Sequence, residues 1–319
     1  MPSRLPKLKF FSGRSNLPLA QSIAQVNGFK LSDVTFTDFA NGEIKVKLEE
    51  TVRGDDVYIL QTACPTDPAK FMMELFILAH TAKRSSARRI TAVMPYIYGS
   101  RQDRKTEPRT PITIQLMGDL LRASGIKRII TVSLHNHASV AAFGDILVDN
   151  ITASTVFFPV IAPLFEKDVI VLSPDAGGVP RAKAYANKFG AELGFAYKSR
   201  PKDNECKVLS FVGDVNNKDV LIVDDIIDTA GSLCNIAYEA KERGANNIYA
   251  CATHAILSRD AINKIQKSPI TKLFITDSIH HQVLPDIFQI VSLGELLCKT
   301  IKAVNADESV GQVVEGYKL

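Results

Sequence analysis

A chain of 319 residues with 38 basic and 34 acidic side chains, 46% hydrophobic and 23% charged, has room for two domains and the balance of a soluble globular protein, not of a disordered or fibrous one. Its net charge of +4 comes without a basic block or an aromatic stripe that would argue for nucleic acid, and so modest a positive excess suits small anionic substrates equally well. Cys64, Cys206, Cys234, Cys251 and Cys298 are scattered, odd in number and without Cys-x-x-Cys spacing, so no zinc site or disulfide framework is expected; with no leader-like apolar segment and no membrane-length run, the expected location is cytoplasmic.

Strand-like and helix-like patterns alternate along the chain, which predicts α/β layering about mainly parallel sheets. In the first half, Asp56 to Leu60 reads as a strand, Ala79 to Lys83 as a helix end and Ile90 to Met94 as the next strand. Tyr96 to Lys105 then leads through Thr106-Glu107-Pro108-Arg109-Thr110-Pro111 to a helix starting near Ile112. Such a charged, proline-bearing stretch is either a solvated loop or, given its Arg and Lys, a mobile lid over a phosphate site. The strand Arg128 to Val132 runs into Leu134-His135-Asn136-His137. A histidine at the carboxyl end of a parallel strand stands where such sheets bind ligands. No third ligand cluster supports zinc, and His137 reads equally well as a polar strand-end residue.

In the second half, the apolar strand Val169 to Leu172 runs into Ser173-Pro174-Asp175-Ala176-Gly177-Gly178-Val179-Pro180-Arg181. Two glycines before a helix let the backbone approach an anion, and Asp175 could hold a cation on it; taken alone, such a turn is an ordinary strand-to-helix connection. Lys198-Ser199-Arg200-Pro201-Lys202 follows the apolar Leu193 to Ala196 and by itself reads as surface charge. The most informative stretch is Val220-Leu221-Ile222-Val223-Asp224-Asp225-Ile226-Ile227-Asp228-Thr229-Ala230-Gly231-Ser232. Apolar residues to Val223 predict a buried strand. Asp228, Thr229 and Ser232 suit the cap and first turn of a helix, and Gly231 allows close backbone approach. The free N–H groups of a helix start bind anions, while carboxylates beside them accept hydrogen bonds from vicinal hydroxyls. An acid pair after a strand is otherwise a plain capping turn; acid pair plus cradle together point to a sugar phosphate. No P-loop and no Gly-x-Gly-x-x-Gly string is present.

The chain also matches itself. Ala79 to Arg101 aligns without gaps to Ala237 to Arg259 at an offset of 158, with eight of 23 positions identical. Upstream, across a small gap, Asp56-Val57-Tyr58-Ile59-Leu60 corresponds to Asp219-Val220-Leu221-Ile222-Val223. So long a period means duplicated domains and not a solenoid, with a boundary expected near 148–153. After its strand the first copy reads Gln61-Thr62-Ala63-Cys64-Pro65-Thr66, without acid pair or cradle, so only the second copy is expected to hold a sugar phosphate.

The stretch from Asp224 to Ser232 resembles the 5-phosphoribosyl-1-pyrophosphate (PRPP) binding motif, an acid pair followed by Asp-Thr-small-Gly-Thr/Ser. Together with Phe10-Phe11-Ser12-Gly13, Phe39-Ala40-Asn41-Gly42-Glu43, Val52 to Tyr58, Arg101-Gln102-Asp103-Arg104-Lys105 and Ser173 to Gly178, it makes nearly the whole chain similar to the ribose-phosphate pyrophosphokinase (PRPP synthetase) family. The resemblance implies an α/β protein of two tandem phosphoribosyltransferase-like domains, each with a mainly parallel central sheet flanked by helices: 1–150 on the ATP side with a degenerate loop, and 151–319 on the ribose 5-phosphate side. It implies transfer of the β,γ-diphosphoryl group of ATP to the 1-hydroxyl of ribose 5-phosphate, giving PRPP and AMP, with Mg²⁺ held by His135 and Asp175. Lys198 and Arg200 match the family's catalytic basic pair. Arg200, Asp224, Asp225, Asp228, Thr229, Ala230, Gly231 and Ser232 would bind ribose 5-phosphate. Phe39, Asn41, Gly42, Glu43, Arg101, Gln102, Asp103 and Arg109 would bind ATP. A homo-oligomer, a hexamer in the family, is implied, with no nucleic-acid or membrane partner. The chain departs from the usual pattern in carrying Ser133 before Leu134-His135, one extra residue between His135 and Asp145, and Thr106 in the lid. A phosphoribosyltransferase that consumes PRPP would not need the ATP-side residues. A silent regulatory homologue would be expected to lack Lys198, Arg200, His135 or Asp175.

Overall fold

Asp56 to Leu60 is buried at every position, as a strand inside a parallel sheet covered on both faces must be. The computed structural model describes residues 6–26, 28, 30–165, 168–199 and 208–315, with backbone alone at 197–199, 208–210 and 315. In chain order the first half forms β1 (Leu8–Ser12), α1 (Leu17–Val26), β2 (Val34–Asp38), β3 (Ile44–Leu48), β4 (Asp56–Leu60), α2 (Pro68–Arg84), β5 (Arg89–Val93), α3 (Thr113–Ser124), β6 (Arg128–Val132), a 3-10 turn (His137–Phe143) and β7 (Leu147–Ile151). There follow α4 (Ser154–Ile161), β8 (Val169–Ser173), α5 (Val179–Phe189), β9 (Glu192–Ser199), β10 (Val208–Val212), β11 (Asp219–Ile227), α6 (Gly231–Glu242), β12 (Ile248–Ala255), α7 (Ala261–Lys267), β13 (Lys272–Thr276), β14 (Phe288–Val291), α8 (Gly294–Asn305) and α9 (Val310–Glu315). Local chemistry sets the ends. Asp67 caps α2 by accepting from the Lys70 amide, Pro68 opens it, and Lys83 and Arg84 sit in its last turn.

Two compact units result, each built on a parallel α/β sheet, as expected. One comprises residues up to Ala153 with Ser278–His280 and the chain from Ser292 onward; the other comprises Ser154–Asp277 with His281–Val291. The first holds a five-stranded sheet in the order β1-β4-β5-β6-β7, all parallel, with the antiparallel β2-β3 hairpin apart from it. The second holds a seven-stranded sheet in the order β10-β9-β8-β11-β12-β13-β14, antiparallel only at β9-β10. Read along the sequence, 151–319 forms one domain; in the structure the chain from Ser292 onward groups with the first unit. The reason is α8, whose buried side chains Leu296, Leu297, Cys298 and Ile301 belong to a helix that packs on α1. Among the described residues, no helix is long and apolar enough to cross a membrane.

The duplication extends to hydrogen bonds. The Gly54 amide donates to the Ser86 carbonyl over 2.9 Å, and in the second unit the Asn217 amide donates to Gly244 over 2.9 Å. Arg88 to Asp55 (2.8 Å) is matched by Asn246 to Lys218 (2.9 Å), and Lys127 to Ile90 (3.0 Å) by Thr271 to Ile248 (2.7 Å). Helix α2 has 17 residues and α6 has 12, so the alignment gap falls inside the helix. The two strand-to-helix turns therefore correspond residue for residue, and Gln61 stands where Asp224 stands. The hairpin β2-β3 corresponds in turn to β9-β10. In the second unit that hairpin joins the sheet through β8-β9, with Val171 opposite Leu193. In the first unit its remnant is a single parallel bridge, Phe10 to Leu31.

Candidate functional site

In the second sheet, β8 and β11 are neighbours; the chain leaves β8 for β9 on one side and β11 for β12 on the other. Strand order reverses between them, and the crevice at the carboxyl ends of such strands is where open α/β sheets bind ligands. Three of the segments singled out in the sequence converge there: the Ser173–Gly178 turn, the acid pair and the Asp228–Ser232 turn.

Strand β11 runs further than the apolar pattern indicated. It continues to Ile227 because pairing with β12 persists through Asp224–Ala252, Ile226–His254 and Ile227–Ala255, so both acids lie within the strand and not in the turn. Asp225 is buried and Asp224 partly so. The guanidinium of Arg181, in the first turn of α5, reaches both: Nη1 lies 3.4 Å from Asp224 Oδ1 and Nη2 3.0 Å from Asp225 Oδ1. Asp224 Oδ1 also accepts from the Asp225 amide at 2.8 Å. Burial, and next the adjacent Asp225 charge, raise the Asp224 carboxyl well above the usual carboxylate range, with Arg181 opposing.

Beyond the strand, the Ile227 carbonyl accepts from the amides of Ile256 (2.8 Å) and Leu257 (3.1 Å), and that of Asp228 from Ser258 (2.9 Å). The Thr229 carbonyl takes Lys264 Nζ at 3.3 Å. The turn is thus braced from the β12–α7 connection. Helix α6 opens at Gly231 with no side-chain cap, and its N-cap is Ala230 in the left-handed region, φ 60°. One expectation changes accordingly: the N-cap position falls to Ala230, so Asp228 and Thr229 precede the helix instead of occupying its cap. A Cβ at Gly231 would meet nothing of the protein closer than Thr229 Oγ1 at 4.0 Å, which leaves room above the helix start.

The neighbouring turn is tighter. Ser173 Oγ donates to the Asp175 carbonyl (2.6 Å), and Asp175 Oδ1 accepts from the Gly178 amide (2.9 Å). A Cβ on Gly178 would fall 2.5 Å from Ser173 Oγ, so this glycine is required by close approach. Lys198 lies in β9, its backbone opposite Leu209; its side chain and the whole of Arg200 fall outside the described residues.

The other predicted residues lie in the first unit. Phe39 to Glu43 form the tip of the β2-β3 hairpin: the Phe39 amide donates to the Glu43 carbonyl (2.9 Å), Gly42 to Phe39 (2.9 Å), and Asn41 Oδ1 accepts from the Glu43 amide at 3.2 Å. Gly42 has φ 85°, as this turn demands, and Phe39 is 48% exposed. Arg101, Gln102, Asp103 and Arg109 lie between β5 and α3. Gln102 Oε1 accepts from Thr113 Oγ1 (2.5 Å), while Asp103 Oδ2 accepts from Asn136 Nδ2 (2.7 Å) and Ser139 Oγ (3.3 Å), which ties the basic segment to the 3-10 turn. His135 is exposed just before that turn, in the first unit, whereas Asp175 is in the second. Among the described residues, no group of three or more His, Cys, Asp or Glu side chains could enclose an ion.

In the first unit, the turn that corresponds to the acid pair is filled from within. Gln61 Oε1 accepts from the Ser15 amide (3.1 Å) and Ser15 Oγ (2.5 Å), while Gln61 Nε2 donates to the Phe71 carbonyl (2.9 Å) and to Glu74 Oε1 (3.0 Å). The Thr62 amide donates to Ser15 Oγ at 2.9 Å. The sequence reading missed Arg181, Arg14 and Glu74. For Glu74 and Arg181 the signal was a charge on an inward helix stripe: Glu74 stands one turn before buried Leu78, and Arg181 one turn before buried Tyr185; Arg14, in the turn after β1, carries no such signal.

Residues 8–125 match the N-terminal domain of ribose phosphate pyrophosphokinase, and residues 195–315 a phosphoribosyl synthetase-associated domain. The chain is 43% identical over 306 residues to a ribose-phosphate pyrophosphokinase of Thermosipho africanus, covering 95% of this chain and 96% of the relative. It is 41% identical over 307 residues to that of Campylobacter jejuni, covering 96% and 98%. In structure it is similar to the phosphoribosylpyrophosphate synthetase from Mycobacterium smegmatis, with a TM-score of 0.89 and 33% identity over 94% of this chain and 99% of that one.

Proposed function

This chain belongs to the ribose-phosphate pyrophosphokinase family, and from that premise we propose which of its residues perform the reaction. The enzyme transfers the β,γ-diphosphoryl group of ATP to the 1-hydroxyl of ribose 5-phosphate. The hydroxyl oxygen bonds to the β-phosphorus, the bond from that phosphorus to the α,β-bridging oxygen breaks, AMP leaves and the hydroxyl proton is released.

In this proposal the second unit is the ribose side. Asp224 and Asp225 accept hydrogen bonds from the ribose hydroxyls, and Asp228 to Ser232 hold the 5-phosphate on the amides of the α6 start. The observation that carries the assignment is the acid pair, followed within one turn by a helix start without a side-chain cap, at the β8/β11 switch point. The first unit is the ATP side: Phe39 offers a ring for the adenine, with Asn41, Gly42, Glu43, Arg101, Gln102, Asp103 and Arg109 completing the set. Lys198 and Arg200 offset charge developing on the transferred group.

Magnesium is the proposed cofactor. It would neutralise the substrate phosphates, and since it takes one or two carboxylates and keeps much of its water, the Asp175 carboxylate at the turn mouth suits it. The His135 imidazole suits it less and rests on the family resemblance. A homo-oligomer is the proposed assembly; apolar Leu116 and Leu120, one turn apart and exposed on α3, support it.

The test is AMP release from ATP that requires ribose 5-phosphate and no nucleobase. Lys198→Ala should lower kcat by about 100-fold or more while ATP binding persists. Near-normal turnover of that variant would remove Lys198 from the mechanism.

A further inference from the structure

The hairpin that carries Phe39, Asn41 and Glu43 is poorly anchored by its own backbone. Two-stranded hairpins are marginal in isolation, and this one meets the main sheet only through the Phe10–Leu31 bridge among the described strands. Its inner residues Val34, Phe36, Val46 and Leu48 pack against the core under α2. That fixes its body, but leaves the end of β2, and with it the tip, to some other restraint.

Arg14 supplies it. The residue lies in the turn after β1, at the register position that Asp175 takes in the second unit, and every nitrogen of its guanidinium is engaged. Nε donates to Glu74 Oε2 at 2.7 Å, while Nη1 and Nη2 donate in a parallel fork to Asp38 Oδ2 (2.9 Å) and Oδ1 (2.8 Å). The guanidinium carbon lies 5.0 Å from the centre of the Phe36 ring. Glu74 is fully buried, and its Oε1 also receives the Arg14 amide (2.6 Å) and Gln61 Nε2 (3.0 Å). A carboxylate locked in the core thus holds a planar fork, and the fork holds the last residue of β2, whose neighbour is Phe39. Lys70 Nζ adds a second cation on Asp38 at 3.2 Å. The Arg14 hydrogen bonds, foremost, hold the Asp38 carboxyl down to about 2, so the fork persists throughout the neutral range.

We propose that Arg14, braced by buried Glu74 and gripping Asp38, is a positioning residue that sets where the ATP-side hairpin tip stands. This rests on the reading of Phe39, Asn41 and Glu43 as nucleotide contacts. A fork of this kind is a property of arginine; lysine, a flexible point charge, does not reproduce it.

The experiment uses the full chain with Arg14→Lys and Asp38→Asn. Asp38→Asn leaves the Arg14–Glu74 contact in place and so guards against a variant that fails to fold. Both should raise KM for ATP by about tenfold, with kcat and KM for ribose 5-phosphate within about twofold, because ATP then has to order a loosened tip. Amide exchange at Phe39 and Gly42 should quicken in both, with the thermal midpoint near that of the parent protein. Unchanged KM for ATP in folded variants, or a parallel rise in both KM values, would overturn the proposal. A parent protein that releases no AMP with ribose 5-phosphate would sink the functional reading instead. The clamp would then stand or fall on hairpin-tip exchange and on ATP binding measured by calorimetry in the same variants.

Discussion

Asp224 and Asp225 illustrate how a residue can be placed against its own stability. Side by side at the end of β11, they share one guanidinium, and burial with the Asp225 charge keeps the Asp224 proton on to higher pH than usual. Between the ordinary aspartate pKa of about 4 and that raised value, the folded protein binds more protons than the unfolded chain. Stability contributed by this group therefore falls as pH rises across the window. Sugar binding should run the other way, since an ionised carboxylate is the better acceptor for hydroxyl protons. Asp224→Asn removes the repulsion, so the free protein should gain about 1 kcal/mol, read as a higher midpoint in urea. The same variant should lose about 10- to 100-fold in kcat/KM for ribose 5-phosphate, the worth of hydrogen bonds to a charged group. A variant less stable than its parent would show that Arg181 more than offsets the repulsion.

At the scale of elements, two turns of equal length give one open site and one filled one. In the second unit, close approach at Gly178 and the left-handed Ala230 bring two helix starts to the switch point. In the first unit, Ser15, Gln61 and Glu74 satisfy one another across the corresponding gap. Polar side chains with partners in place do not release them cheaply, so this turn keeps the strands of the repeat but is occupied by its own side chains. The glycines of the open turn differ in how much they matter. Gly178→Ala should cost about 1–3 kcal/mol by forcing Ser173 and then Arg181 aside, and should raise KM for ribose 5-phosphate. Gly177→Ala, whose Cβ would meet only Asp175 Oδ1 at 3.3 Å, should be nearly silent. Equal midpoints for the two variants would count against the close-approach argument.

For the whole molecule, the chain exchanges its helices between the two repeats. After β7 it builds α4, which groups with the second unit; after β14 it builds α8, which groups with the first and packs on α1. The C-terminal segment is therefore part of the folding of the N-terminal unit. Leu297, fully buried on α8, tests this. Leu297→Ala should cost about 2–5 kcal/mol, and hydrogen exchange should quicken in α1 before it quickens in β11 and β12. Faster exchange confined to the second unit would contradict the grouping. The same duplicated topology puts an antiparallel strand pair in equivalent places of both units, β2-β3 with its exposed Phe39 tip and β9-β10 with Lys198 on its first strand.

Layering, the duplication and the meeting of the acid pair with a helix start were legible along the chain, because each rests on short-range pattern: buried β-branched runs, a self-match at an offset of 158, and acids followed by a glycine-bearing turn. The extent of β11, the bend at Ala230, the charge of Arg181 on the acid pair and the Glu74–Arg14–Asp38 chain were not. Each depends on which side chain a distant segment brings up: β12 extends β11 by pairing, α5 delivers a cation that nothing near Asp224 in sequence foretells, and α2 buries a carboxylate 60 residues from its arginine. Local propensity fixes periodicity and caps, but the balance of buried charge and the placement of a weakly anchored hairpin belong to long-range packing, and only the folded chain decides them.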